Sequence, residues 1–207
     1  NAKLSQDPED INNNTGVFQV SVRRQNDCMV SGGYILVGDS AWMPKPIDAG
    51  GIGPALIAGT ILGKNVVDAI EANDVTEKGL WQYHLDFIKE YGYKTAGLEL
   101  FRRLVQTLTN EQISYGMKHF LGNVDVEAIS KGEHPDFSGL SKLGMIIRGA
   151  MNKTVANGLK YTSQQNQWLV EHYGNYPKEP EGFEEWEKSL HKTLDESFAK
   201  IATFSKN

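Results

Sequence analysis

The residues that could do chemistry concentrate in one run of this 207-residue chain, Gly38-Asp39-Ser40-Ala41 followed by Pro44-Lys45-Pro46-Ile47-Asp48-Ala49-Gly50-Gly51-Ile52. A carboxylate at Asp39 can accept hydrogen bonds from ligand hydroxyls, and Gly38, with no Cβ, lets backbone approach a ligand closely. The apolar stretch Tyr34 to Val37 reads as a short strand ending in this Gly-Asp pair, and ligands of open α/β folds commonly sit at such strand ends. Gly50 and Gly51 then stand where a helix begins, and unpaired N–H groups together with the helix dipole favour negative charge at that point. The run therefore reads as a clamp for a hydroxylated chain beside a cradle for an electron-rich atom. A plain turn followed by a tight helix start would use the same residues, but the combination around Pro46 favours a ligand site.

Other reactive side chains give weaker signals. His84, His119, His134, His172 and His191 are scattered rather than paired on one helix face, so solvated or capping roles are expected and no metal is predicted. The single cysteine, Cys28, cannot form an intrachain disulfide or hold an iron-sulfur cluster by thiolates alone. Arg23 and Arg24 could meet a phosphate or a cofactor, yet surface ion pairs are their expected fate. With 21 Lys plus Arg against 26 Asp plus Glu, the net charge of -5 gives no electrostatic reason for a nucleic-acid partner. No run reaches the roughly 18 apolar residues of a membrane span; Lys64, Asn65 and Asp68 interrupt the best stretch, Ile52 to Ile70. The first residues lack the features of a signal peptide, and a cytoplasmic, reducing setting is expected, with association at a membrane surface left open.

The elements that position the run are mostly helices. Val17 to Val22 and Tyr34 to Val37 are the two convincing strands, with Ser31-Gly32-Gly33 as the turn before the second; residues 7–15 read as a loop. Ile52 to Ala72 places Ala55, Gly59 and Gly63 on one ridge, flanked by Leu56, Val66, Val67 and Ile70, which should pack tightly against a neighbour. Asp74 to Glu77 and Thr109 to Gln112 have the form of capping boxes. The first opens a helix carrying Leu80, Trp81, Leu85 and Ile88 that ends near Tyr91-Gly92; a third helix presents Leu98, Phe101, Leu104, Val105 and Leu108 on one face. Further helices are expected over Val126 to Lys131, Phe137 to Met151 and Ala156 to His172. After a linker at Tyr176 to Pro180, the last helix aligns Phe183, Trp186, Leu190, Leu194, Phe198 and Ile201. Aromatics such as Trp81, Tyr83, Tyr91, Tyr93 and Phe101 read as core rather than the lining of a lipid channel. The fold class is α+β but mainly helical, divided into residues 1–72 and 73–207, and two strands without a sheet suggest the C-terminal part of a larger protein.

Tyr34-Ile35-Leu36-Val37-Gly38-Asp39-Ser40-Ala41 followed by Pro46-Ile47-Asp48-Ala49-Gly50-Gly51-Ile52 resembles the second flavin-binding motif of the geranylgeranyl reductase family of FAD-dependent oxidoreductases. The strong match covers about Val20 to Val67, and beyond it the similarity is a general helical lobe. The resemblance implies the C-terminal portion of a Rossmann-like FAD/NAD(P)-binding flavoprotein, with residues 1–72 a remnant of the FAD-binding domain and 73–207 a helical C-terminal lobe. It implies FAD as cofactor, with Gly38 and Asp39 on the sugar-like chain and Pro46, Gly50, Gly51 and Ile52 beside the ring. Ala49 replaces the family's first glycine of three, which is tolerable if φ there is negative. The family's Gly-x-Gly-x-x-Gly pyrophosphate loop is not present, so an upstream part of the same polypeptide is implied, and the chain alone is expected to hold FAD weakly. The implied activity is reduction of double bonds in an isoprenoid or lipid substrate, with the electron donor and catalytic residues unknown. A flavoprotein dehydrogenase serving a quinone or electron-transfer flavoprotein, and a non-enzymatic helical interaction module, stand as alternatives.

Overall fold

β-Propensity does not produce a strand over the described part of the expected Val17 to Val22. In the computed structural model, which describes residues 19–119, 127 and 152–206, positions 19–22 form no strand. The chain from Arg24 to Asp27 is instead held by its own ion pair and by side chains from far along the sequence. The Arg24 N–H donates to Glu99 Oε2 at 3.2 Å, the Arg24 guanidinium pairs with Asp27 at 2.6 Å, and the Tyr176 hydroxyl donates to the Asp27 carbonyl at 2.8 Å. Gln25 accepts from the Thr95 hydroxyl. Arg24 is thus a buried ion-pair partner rather than a surface one, and Arg23 stacks over the Trp42 ring at 4.2 Å.

The sheet among the described residues is a minimal hairpin. β1 (Val30–Ser31) pairs antiparallel with β2 (Tyr34–Ile35), Val30 opposite Ile35. Gly33, at φ +83, makes the turn. Only half of the expected strand Tyr34 to Val37 is therefore laddered, although Leu36 N–H still reaches the Met29 carbonyl at 2.8 Å.

Helix α1 (Ile52–Glu71) starts where expected and ends one residue earlier, with Ala72 as its C-cap. It closes in a Schellman motif: Asn73 takes φ +52, Asp74 N–H donates to the Ala69 carbonyl at 2.9 Å and Asn73 N–H to that of Ile70 at 3.0 Å. The cap of α2 (Glu77–Leu80) is Thr76, whose hydroxyl accepts the Gly79 N–H, and Asp74 braces Thr76 rather than capping the helix itself. The expected stop at Tyr91-Gly92 does not occur. Helix α3 (Gln82–Phe87) runs through a π-helical turn (Ile88–Gly92) straight into α4 (Tyr93–Thr107). Gly92 survives inside this rod because a Cβ there would stand 3.0 Å from Gln25 Nε2 and 3.2 Å from Ile88 Cγ1.

The capping box before α5 (Asn110–His119) forms reciprocally: Thr109 N–H donates to Gln112 Oε1 at 2.9 Å and Gln112 N–H to Thr109 Oγ1 at 3.3 Å. Helix α6 (Lys153–Gly174) contains the expected Ala156 to His172 and is capped by Asn152; α7 (Phe183–Ala202) completes the lobe. The expected helix Phe137 to Met151, and that at Val126 to Lys131 apart from Glu127, lie outside the described residues, as do residues 7–15.

The core sits where α4 packs on α6 and α7. Gly158 permits that approach, since a Cβ there would come 2.5 Å from Leu104 Cδ1. Trp81, Tyr83 and Phe101 are buried as expected, with Tyr93 partly buried, and Trp81 also donates its Nε1–H to the Pro177 carbonyl at 2.8 Å. The small-residue ridge of α1 behaves differently from expectation. Gly59 and Gly63 face no atom within 4 Å of an added Cβ, and Ile52 and Ile70 are 81% and 62% exposed. The buried side of α1 is Pro54, Ala58, Asn65 and Ala69, with Asn65 Nδ2 donating to Asp86 of α3 at 3.0 Å.

Candidate functional site

Backbone conformation makes the Gly-Asp turn. Val37 arrives extended, Gly38 takes φ +65 and a single 3-10 turn spans Gly38–Ala41. Trp42 N–H then donates to the Asp39 carbonyl at 3.1 Å and Met43 N–H to that of Gly38 at 3.2 Å. Trp42 itself sits left-handed at φ +56, and Asn26 N–H secures the turn by donating to the Ala41 carbonyl at 3.0 Å. This geometry leaves the Asp39 side chain exposed and aims it at the start of α1. A Cβ on Gly51 would lie 3.3 Å from Asp39 Oδ1 and 3.4 Å from Pro44 Cγ. The two chemical ends of the run are thus brought together, and a side chain at position 51 would wedge between them.

The connecting loop is tied by its own side chains. Ala49 N–H donates to the Lys45 carbonyl at 2.9 Å and Lys45 N–H to the Gly50 carbonyl at 3.2 Å. Closing this ring forces Ala49 to φ +58, so the expected negative φ is not met and an alanine occupies a glycine-type conformation. Asp48 accepts the Gly50 N–H at 2.9 Å and pairs with Lys45 Nζ at 2.7 Å. Partial desolvation opposes its ionisation, but these two hydrogen bonds prevail and hold the carboxyl below its usual range.

Gly50 therefore does not offer its amide to a ligand. The open donors are the first N–H groups of α1, at Ile52 and Gly53. No side chain caps the Gly51 end and no acidic residue stands in the first turn. Pro54 removes one further donor, so the positive end of this helix is concentrated on few amides.

A cavity of about 460 Å³ opens at this helix start, bordered by residues 49–54 and by Lys45, Ile57 and Tyr91. Of the residues expected at a ligand, Ala49, Gly50, Gly51 and Ile52 line it. Asp39 adjoins it across Gly51, Gly38 shapes the turn behind, and Pro46 is buried beneath the loop. Lys45 and Tyr91 were not expected there. Lys45 lies within the run, whereas Tyr91 is brought in from the α3–α4 rod, and no local pattern announces that contact. Tyr91 is buried, its hydroxyl has no hydrogen-bond partner among the described residues, and burial pushes its phenol upward so that it keeps its proton.

The remaining reactive groups have structural settings. His84 is neither solvated nor a cap: it is fully buried, Nε2 accepts the Met29 N–H at 3.1 Å, and burial pulls its pKa down to about 3. His172 exchanges contacts with Trp186 at 3.0 Å, and His134 lies outside the described residues. The Cys28 thiol is half-buried and donates to the Val30 carbonyl; burial raises its pKa, which suppresses the reactive thiolate. Asp27, Glu187 and His191 offer ligand atoms within 4.8 Å of one another. Arg24 already neutralises Asp27 at 2.6 Å, and its charge opposes a cation there.

No protein-family profile matches the chain. Among curated proteins, a digeranylgeranylglycerophospholipid reductase of Sulfolobus acidocaldarius is 33% identical over 179 residues, 86% of this chain and 39% of that protein. The chain is a homologue of the geranylgeranyl reductases. Digeranylgeranylglycerophospholipid reductase 2 of Methanopyrus kandleri is 28% identical over 49% of the chain and 25% of its own length. The reductase of Methanocella arvoryzae is 29% identical over 48% of the chain and 25% of its own length. The chain thus spans 39% of the first of these geranylgeranyl reductase relatives. Similarity over 179 residues also reaches well past the stretch from Val20 to Val67, so the helical lobe shares in the homology.

Proposed function

We propose that this chain is the C-terminal part of an FAD-dependent reductase that saturates isoprenoid double bonds of a lipid substrate. In this reading residues 1–72 belong to the cofactor-binding domain and 73–207 form the helical lobe. The observation that carries it is the meeting of Asp39 with Gly51 at an uncapped helix start beside a 460 Å³ cavity. The residues present fit the cofactor. Asp39 is an exposed acceptor for ribityl or ribose hydroxyls, the Ile52 and Gly53 amides are donors for a carbonyl edge, and the Tyr91 hydroxyl is a buried polar atom without a partner.

Bound FAD, once reduced by the electron donor, would supply hydride to one carbon of the double bond while a proton completes the other. The chain's own residues bind and orient. Asp39 fixes the hydroxylated chain, the glycine at 51 keeps the gap open, and the start of α1 favours negative charge at the ring edge. Pro46 and the Lys45–Asp48 pair hold the loop in register. The exposed apolar face of α1, at Ile52, Leu56, Val67 and Ile70, is the surface on which the upstream part of the same polypeptide would pack. Among the described residues no helix is long and apolar enough to cross a membrane, and the substrate is reached by peripheral association with a membrane surface.

The test uses the full-length protein. Purified, it should carry the visible absorption of a flavin or acquire it on adding FAD. Asp39→Ala should weaken FAD retention about tenfold or more, the scale of a hydrogen bond to a charged group. A colourless protein that takes up no FAD contradicts the reading, and unchanged retention removes Asp39 from the site.

A further inference from the structure

Among the described residues, three other than glycine take a left-handed backbone: Trp42 at φ +56, Ala49 at φ +58 and Asn73 at φ +52. Asn73 closes α1, a place that asparagine tolerates, and Ala49 is set by closure of its loop. Trp42 is different. A bulky residue in this region is an outlier, and glycine would take the same backbone without strain. Such strain persists where the surroundings enforce it. Trp42 caps the single turn Gly38–Ala41, and its N–H donates to the Asp39 carbonyl at 3.1 Å, so its conformation bears on the peptide that carries Asp39. The indole is covered by the Arg23 guanidinium, with Cζ 4.2 Å from the ring centroid, well within the reach of cation–π attraction. Two residues further on, Asn26 N–H donates to the Ala41 carbonyl at 3.0 Å and Asn26 Nδ2 to that of Ser40 at 3.4 Å. The turn is thus gripped at Ser40, Ala41 and Trp42 by the segment Arg23 to Asn26. That segment is tied in turn to the helical lobe, by Arg24 N–H to Glu99 at 3.2 Å and by Gln25 to the Thr95 hydroxyl.

We propose that Trp42 and Arg23 are positioning residues: the stacked pair holds the Gly-Asp turn in the backbone arrangement that sets the Asp39 carboxylate against the start of α1. The helical lobe then contributes to the ligand site without touching the ligand, through Glu99 and Thr95 of α4. Glycine at position 42 would permit the same turn but would not keep it, because nothing would stack with Arg23 and the backbone would be free to leave the left-handed region. The proposal rests on the reading that Asp39 holds FAD, and it acts only through that carboxylate.

The test is a double-mutant cycle in the full-length protein, reading the Kd for FAD of the wild type, Trp42→Gly, Asp39→Ala and the variant carrying both. Trp42→Gly should weaken the Kd about threefold to tenfold, within the loss expected of Asp39→Ala. In the Asp39→Ala background the same change should have no further effect, since the carboxylate it positions is gone. General damage to the fold would instead weaken binding equally in both backgrounds. Trp42→Phe keeps a ring for Arg23 and should bind FAD like the wild type. Arg23→Gln should reproduce the loss seen in Trp42→Gly, add nothing to it when the two are combined, and carry the test if Trp42→Gly does not fold. An unchanged Kd in Trp42→Gly and Arg23→Gln overturns the proposal, as does a loss that persists in the Asp39→Ala background. A wild-type protein that binds no FAD, or an Asp39→Ala protein with wild-type affinity, overturns the ligand reading as well; a protein sensitive to Asp39→Ala but indifferent to Trp42→Gly and Arg23→Gln overturns this proposal alone.

Discussion

Helices α1 and α7 are each 20 residues long, yet they use their apolar residues in opposite ways. Helix α7 buries Trp186, Leu190, Leu194 and Ile201 and turns its Lys and Glu residues outward, as an amphipathic helix of a self-sufficient lobe should. Helix α1 buries a small and partly polar side and presents Ile52, Leu56, Val67 and Ile70 to the outside, with its first turn uncapped. The lobe is built to satisfy itself. The region from Gly38 to Glu71 leaves a helix start uncapped and an apolar face exposed, the two features that the proposed ligand and the proposed upstream part would use.

That contrast can be broken by measurement. The largest effect is expected in the lobe: Leu190→Ala removes a fully buried side chain and should cost about 2–5 kcal/mol in denaturant unfolding of this chain. Next comes acid sensitivity through His84. Its folded pKa of about 3 lies below the ordinary 6.5, so the unfolded chain takes up the proton first. The stability contributed by neutral His84 is complete above pH 6.5 and is lost as pH falls toward 3, at about 1.4 kcal/mol per unit. His84→Gln should flatten that slope between pH 6.5 and 5, and an unflattened slope would assign it to other groups.

Smaller effects belong to the loop and to α1. Ala49→Gly relieves a left-handed alanine and should stabilise the chain by about 0.5–1 kcal/mol, read as a raised unfolding midpoint. A loss would mean that the methyl group packs usefully. The smallest change is expected from Leu56→Ala, within about 0.5 kcal/mol in this chain because the side chain is exposed. If Leu56→Ala cost as much as Leu190→Ala, the distinction between the two helices would fail.

The parts of the lobe that were legible are those whose signals are local. The apolar spacing of Phe183 to Ile201 gives α7, and the Thr109–Gln112 pair forms the reciprocal cap that its residue types suggest. The neighbour of the α1 ridge could not be named, because Gly59 and Gly63 have the same spacing whichever surface covers them, and among the described residues none does. Over residues 19–22 the expected strand does not form, because β-propensity carries no information about Glu99 and Thr95 of α4 or Tyr176 in the linker after α6, which claim the adjoining segment. At the site, Asp39 and Gly51 could be named from residue type and order. The left-handed Ala49 could not, since loop closure through Lys45 imposes it, and Tyr91 could not, since a π-helical turn sets its direction.

The most direct test of the central claim is the FAD affinity of the full-length protein and its Asp39→Ala variant, with unfolding of both followed in the absence of FAD. Asp39 is exposed, so the FAD-free proteins should unfold within about 0.5 kcal/mol of each other, while the Kd for FAD weakens about tenfold or more. Equal affinities, or a Kd change no larger than the loss of folding stability explains, would contradict a ligand site at the meeting of Asp39 with the start of α1.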